Sequence, residues 1–205
     1  MVELFVSSFV TLFLIIDPPG CAPIFAGLTT GATPAHRRAM AIRAVAAAAA
    51  ILLLFALAGE PLLHALGIEL ASFRIAGGLM LFLIALEMVF EKRTQRREDR
   101  AAKVTAEEAD DVSIFPMAMP MIAGPGSIAT VMLLMARSNG FERSAVVMAA
   151  LGANLLLMLG SLLAAGPIMR ILGAKIEAVI TRLLGVLLAA LAVQFVIDGV
   201  VEQLR

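Results

Sequence analysis

The stretch 13-FLIIDPPGCAPIF-25 decides how the chain is read: an aspartate, two consecutive prolines and a glycine interrupt a run that is otherwise apolar across residues 4–30. Proline has no amide hydrogen and clashes with the preceding turn, and glycine takes conformations that other residues avoid. A continuous helix over that run would be about 40 Å long at ~1.5 Å per residue. A hydrocarbon core of ~30 Å accepts such a helix only if it tilts or breaks. Residues 17–20 fall near its centre, so the spacing predicts a membrane span broken at mid-depth.

Composition agrees that lipid is the solvent. Of 205 residues, 61 % are apolar and 16 % charged, with a mean hydropathy of +0.98. A globule in water could not be covered by so little charge. Net charge is zero, which leaves a nucleic-acid partner no electrostatic footing. The one cysteine, Cys21, rules out an internal disulfide and a multi-cysteine metal site. His36 and His64 fall on opposite sides of the membrane, so no metal and no cofactor is expected. The opening residues, MVELFVSSFV, lack the basic region of a cleavable signal and are read as part of the first span.

The apolar segments parse as six spans: 4–30, 39–59, 72–90, 113–136, 144–165 and 179–200. A charged linker, 91–112, separates a first three-span unit, 1–90, from a second, 113–205. The two halves repeat each other. A shift of 106 pairs Pro19-Gly20 with Pro125-Gly126, Arg37 with Arg143, Pro61 with Pro167 and Leu66-Gly67 with Leu172-Gly173; a shift of 108 pairs Arg74 with Arg182 and Gly77 with Gly185. Three spans is an odd number, so the second copy enters from the opposite face. The expected fold is therefore an all-α membrane protein of six transmembrane helices in two inverted three-helix repeats, with helices 1 and 4 broken at mid-membrane. Of the 16 Arg and Lys, twelve fall in odd-numbered connections and only Arg74, Arg137, Arg143 and Arg205 elsewhere, which predicts both termini outside the cytoplasm.

The mate of the first break is IAGPGSIAT, residues 122–130. Unwound backbone inside a bilayer is tolerated only beside protein or a polar cavity. Paired interruptions in corresponding spans are the best sequence pointer to a transporter's binding site. Half-helices beginning at the breaks are expected to present amides at Gly20, Cys21 and Ala22, and at Gly126, Ser127 and Ile128, suiting a small carboxylate. Asp17 has two readings that can hold together: it receives an ammonium group or carries a proton, or it caps the half-helix starting at Pro18. Ser127 and Thr130 can reach a ligand or bond back to their own helix, and Asn154 near mid-depth can contact a ligand or another helix. With Gly124, these make the candidate substrate-binding set, and Asp17 is the candidate for ion coupling.

DPPGCAPIF, and PMAMPMIAGPGSIATVM at residues 116–132, resemble the two signatures of the MarC family of bacterial and archaeal membrane proteins. The resemblance runs through nearly the whole chain, and it departs at Cys21, where the family often has asparagine. It implies a transporter fold distantly similar to the lysine-exporter superfamily, a plasma or inner membrane location, and ion-coupled transport of small neutral amino acids such as glycine and alanine. The expected partners are a small zwitterionic substrate and the lipid bilayer. A passive channel and a non-transporting structural protein are the alternatives. An enzyme is not expected, since no nucleophile-and-base arrangement is apparent.

Overall fold

In the computed structural model the described residues are 1–90, 92, 111–138 and 140–204, and they are helical with no strand among them. Helix α1 runs Val2–Ile16, α2 Pro18–Leu28, α3 Pro34–Ala65 and α4 Leu70–Val89. After an irregular π-type segment, Ser113–Ile122, come α5 Pro125–Ala136, α6 Phe141–Leu163 and α7 Ala165–Gln203. With α1 and α2 taken together as the run Val2–Leu28, five helical runs are long and apolar enough to cross a membrane, and six when the bent pair Ser113–Ile122 and Pro125–Ala136 counts as one span. The linker expected at 91–112 falls, apart from Lys92, Asp111 and Val112, outside the described residues.

Local chemistry sets these boundaries. Thr33 caps α3 by accepting the His36 amide at 3.3 Å, and Pro34 occupies the first helical position, where its missing amide does no harm. The helix then runs through Pro61, which the sequence reading had placed in a connection, and stops at Gly67. There the backbone turns left-handed (φ 67°), and the Ile68 amide reaches back to the Leu63 carbonyl at 2.9 Å. At the cytoplasmic side expected for this connection, the Arg37 guanidinium donates to the Thr29 carbonyl at 2.9 Å, closing the end of α2. The connection expected between the fifth and sixth spans is itself helix: α7 begins at Ala165 and continues unbroken through Pro167.

In packing, α1 lies against α6, the 113–122 segment against α3, α2 against α6 and α7, and α5 against α3 and α4. The most extensive seam joins α4 to α7. Lipid gives helices no hydrophobic drive to associate, so close approach through small residues supplies the cohesion. A Cβ added at Gly78 would stand 2.8 Å from the Ala192 carbonyl oxygen, one at Gly185 3.1 Å from that of Ala85, and one at Gly199 2.9 Å from that of Ala71. The facing numbers, 71 with 199, 78 with 192 and 85 with 185, each add to 270, so the two helices run antiparallel in one continuous register. Leu54, Leu57, Leu83, Leu183 and Leu187 point outward and stay exposed, as a lipid-facing surface requires.

Candidate functional site

The first break is a single residue. Asp17 adopts the left-handed conformation (φ 56°, ψ 64°) that an aspartate tolerates better than most side chains. Its amide still closes α1 by donating to the Phe13 carbonyl at 3.0 Å. Pro18 and Pro19 then remove two donors, and the Asp17 carboxylate accepts the Gly20 amide at 3.2 Å. The Asp17 carbonyl accepts the Cys21 amide at 3.1 Å. The open amides expected at Gly20 and Cys21 are thus already taken, and Ala22 lies within α2. The Asp17 carboxylate takes the first and the Asp17 carbonyl the second, which corrects the sequence reading for this half-helix. The Cys21 thiol is fully buried and sits 3.7 Å from the Ile16 carbonyl oxygen. Asp17 is itself buried, at 1 % exposure.

The second break is longer and rougher. Pro116 and Pro120 follow cis bonds, and the residues before them, Phe115 and Met119, are extended (ψ 129° and 125°), the conformation a following proline imposes. Sequence reasoning placed this break at 122–130 and missed its earlier part, although the prolines of PMAMP, spaced by four, were the signal. The 113–122 segment and α5 meet at an angle of 54°, the one such pair bent by more than 40° among the described residues. Gly124 is pressed against the bend: a Cβ there would lie 2.5 Å from the Pro120 carbonyl oxygen.

No side chain caps α5. Its first backbone bond is made by Ile128, whose amide donates to the Gly124 carbonyl at 3.0 Å, so the amide expected to be open at Ile128 is used. The amides of Gly126 and Ser127 have no partner among the described residues. Both residues are buried. Asp17 stands two residues before Pro19-Gly20, whereas Ala123 stands two residues before Pro125-Gly126, so the second half-helix lacks the carboxylate that closes the first. Two donors and a partial positive helix end remain at mid-span.

The structure brings the two breaks together. A Cβ on Gly126 would lie 3.6 Å from Ile15, two residues before Asp17, 3.6 Å from Leu81 and 2.6 Å from Ile84 of α4. Thr130 is not aimed at this point, since its hydroxyl donates to the Gly126 carbonyl at 2.8 Å. Asn154 is also held elsewhere: its amide nitrogen donates to the Phe9 carbonyl at 3.1 Å and the Ala150 carbonyl at 2.9 Å, joining α6 to α1 two turns before the break. Its side-chain oxygen is buried and has no partner. His36 and His64 are exposed, and Gln194 donates to Asp198 at 2.7 Å. Among the described residues no group of three His, Cys, Asp or Glu is placed to hold a metal ion.

At the entry to the second broken span, Asp111 accepts the Ser113 amide at 3.0 Å and pairs with Arg43 at 3.2 Å. Partial burial alone would raise its carboxyl, but hydrogen bonding from Ser113 and the charges of Arg43 and His36 outweigh it and hold Asp111 below the usual carboxylate range.

Residues 2–204 match the MarC family, described as integral membrane proteins. Among its relatives, a UPF0056 membrane protein of Methanocaldococcus jannaschii is 36 % identical over 201 residues, covering 97 % of this chain and 96 % of that one. One from Archaeoglobus fulgidus is 34 % identical, covering 98 % of this chain and 93 % of that one. The UPF0056 inner membrane protein YhgN of Escherichia coli K12 is 33 % identical, covering 95 % of each chain. No solved structure matches.

Proposed function

Because this chain belongs to the MarC family of integral membrane proteins, we propose that it is a multi-pass carrier of small neutral amino acids, of the glycine and alanine class. A proton or sodium gradient drives it by alternating access. The observation that carries the reading is the pair of unpartnered amides at Gly126 and Ser127 beside the first break. They receive the substrate carboxylate, which accepts several hydrogen bonds at once. Asp17, across the junction, attracts the ammonium group. Ile15, Leu81 and Ile84 crowd Gly126, which favours a side chain no larger than a methyl group. Ser127 adds its hydroxyl, while Thr130 and Asn154 support the site by holding its helices.

The carrier is read as two inverted repeats, 1–90 and 113–205, joined by the linker 91–112. Support comes from the register of α4 against α7. Facing residues add to 270 and repeat mates differ by 108, so one level alone sets a residue opposite its own mate, Leu81 against Ala189. That level is the middle of α4, and it borders Gly126. The helix neighbours repeat in the same sense: α1 with α6 mirrors the 113–122 segment with α3, and α2 with α7 mirrors α5 with α4. Rocking one repeat about this centre exposes the site to each side in turn. The location is the bacterial or archaeal plasma membrane, with both termini outside, following the distribution of Arg and Lys.

The test is uptake of labelled glycine and alanine into proteoliposomes, with and without an imposed pH or sodium gradient. Concentrative uptake is the expected result. Saturable flux that ignores both gradients would identify a facilitator, and absence of flux for either solute would leave a structural protein.

A further inference from the structure

Four charged side chains gather where α4 begins and α7 ends. Asp198 and Glu202 lie one turn apart on the last part of α7. Arg137 follows the last residue of α5 and pairs with Asp198. Arg74, in the second turn of α4, pairs with Glu202. Arg74 is buried, its side chain only 10 % exposed, and its Nε has no partner. Arg137 also lies over the Phe195 ring, 5.0 Å from its centroid. A cavity of about 390 Å³ opens beside the pairs, lined by Arg74, Asp198, Val201 and Glu202.

Charge at the ends of apolar spans is normally left to water, where an ion pair contributes little. Here the guanidinium is instead drawn between helices, where removing one partner strands the other. The two pairs also tie together elements of different origin. Arg74 belongs to the first half of the chain and Glu202 to the second, while Arg137 ends the half-helix whose other end is the second break. The Arg137–Asp198 pair has no repeat counterpart, because the mates of those residues are Gly31 and Phe90.

We infer that Arg74, Glu202, Arg137 and Asp198 form an ion-pair latch that holds the face carrying the C-terminus closed, and that the latch parts when this face opens to the site. The inference rests on the alternating-access reading. The adjoining cavity supplies the water that receives the charges when the pairs separate.

Cys21, the one cysteine of the chain, is buried at the first break and reports opening without any engineered label. The full-length protein in sealed, oriented vesicles is treated from the C-terminal face with a charged, membrane-impermeant thiol reagent. Glu202→Gln should speed labelling of Cys21 about tenfold, as loss of one charge-assisted hydrogen bond predicts. Arg74→Gln should do the same, and the exchange of Arg74→Glu with Glu202→Arg should return labelling close to the wild-type rate. Asp198→Asn should give a smaller increase. Glu202 is half-exposed, so its variant decides the matter even where Arg74→Gln does not insert. An unchanged labelling rate in Glu202→Gln, or an exchange variant as fast as the single ones, overturns the latch. Glycine uptake in the same vesicles separates the two ideas. Flat labelling with intact uptake removes the latch and leaves the carrier, whereas responsive labelling without uptake by the wild type keeps the latch and removes the carrier.

Discussion

The two interrupted spans occupy the same place in the two halves of the chain but end differently. At the first, Asp17 turns left-handed, closes α1 with its amide and opens α2 with its carboxylate, so the chain resumes its course with its donors served. At the second, the corresponding residue is Ala123, the chain bends by 54°, and two buried amides stay open. The first break carries its own anion, and the second has none. A single carboxylate, present at one break and absent at the other, gives the junction a negative side and a positive side, the asymmetry on which the proposed zwitterion site rests.

The largest effect should come from erasing that difference. Ala123→Asp places a carboxylate over the Gly126 and Ser127 amides, and glycine uptake should fall by about a hundredfold, the loss of two charge-assisted hydrogen bonds to substrate. The protein should meanwhile keep or gain thermal stability in detergent, since a new cap is worth about 1 kcal/mol. Lost stability with unchanged uptake would break the comparison.

Next in size is the reverse change at the first break. Asp17→Asn keeps a side-chain oxygen for the Gly20 amide and tolerates the left-handed backbone, so it should fold while gradient-driven uptake drops about tenfold or more. Asp17→Ala should add a loss of stability of about 1 kcal/mol, measured by thermal unfolding. Equal stability of the two variants would mean that the cap contributes nothing.

Glycines at the second break give a smaller, purely structural contrast. A Cβ at Gly124 meets backbone, the Pro120 carbonyl oxygen at 2.5 Å, whereas one at Gly126 meets chiefly the movable end of Ile84. Gly124→Ala should therefore destabilise by about 2 kcal/mol and Gly126→Ala by about 1 kcal/mol or less. The reverse order would show that the bend relaxes more readily than the packing around α4.

The smallest effect concerns the entry to the second span. Asp111 titrates below its unfolded value, so its contribution to stability is present above that value and is lost as pH falls through the lower, folded one. Asp111→Asn should lower stability slightly at neutral pH and flatten the acid limb, so that the two proteins converge below about pH 4. A loss of the same size at neutral and at acid pH would place its role outside titration.

Much of this was legible in the residues themselves. The apolar segments and the prolines and glycines of the two breaks are chemistry that lipid reads locally: span length, missing donors, permissive backbone. The position of Asp17 announced a carboxylate inside the first apolar run. What could not be read there was which amides that carboxylate would consume, because a cap depends on one dihedral angle and a distance of 3.2 Å. The two prolines of the PMAMP stretch are plain in the sequence, but the extended backbone at Phe115 and Met119 emerged only in the fold. By depth Asn154 could contact a ligand or another helix, and only packing against α1 gave its nitrogen to Phe9.

The sequence by itself determined that the chain lives in lipid and that its helicity is interrupted at Asp17 and near Pro125, since these follow from hydropathy and from backbone chemistry confined to a few neighbouring residues. Tertiary structure alone decided that the two failures meet beside Leu81, that one is closed and the other open, and that arginines and acids from distant helices pair across the end of the bundle. Those outcomes depend on register and rotamer between segments far apart in the chain, and no local pattern encodes a distance between them.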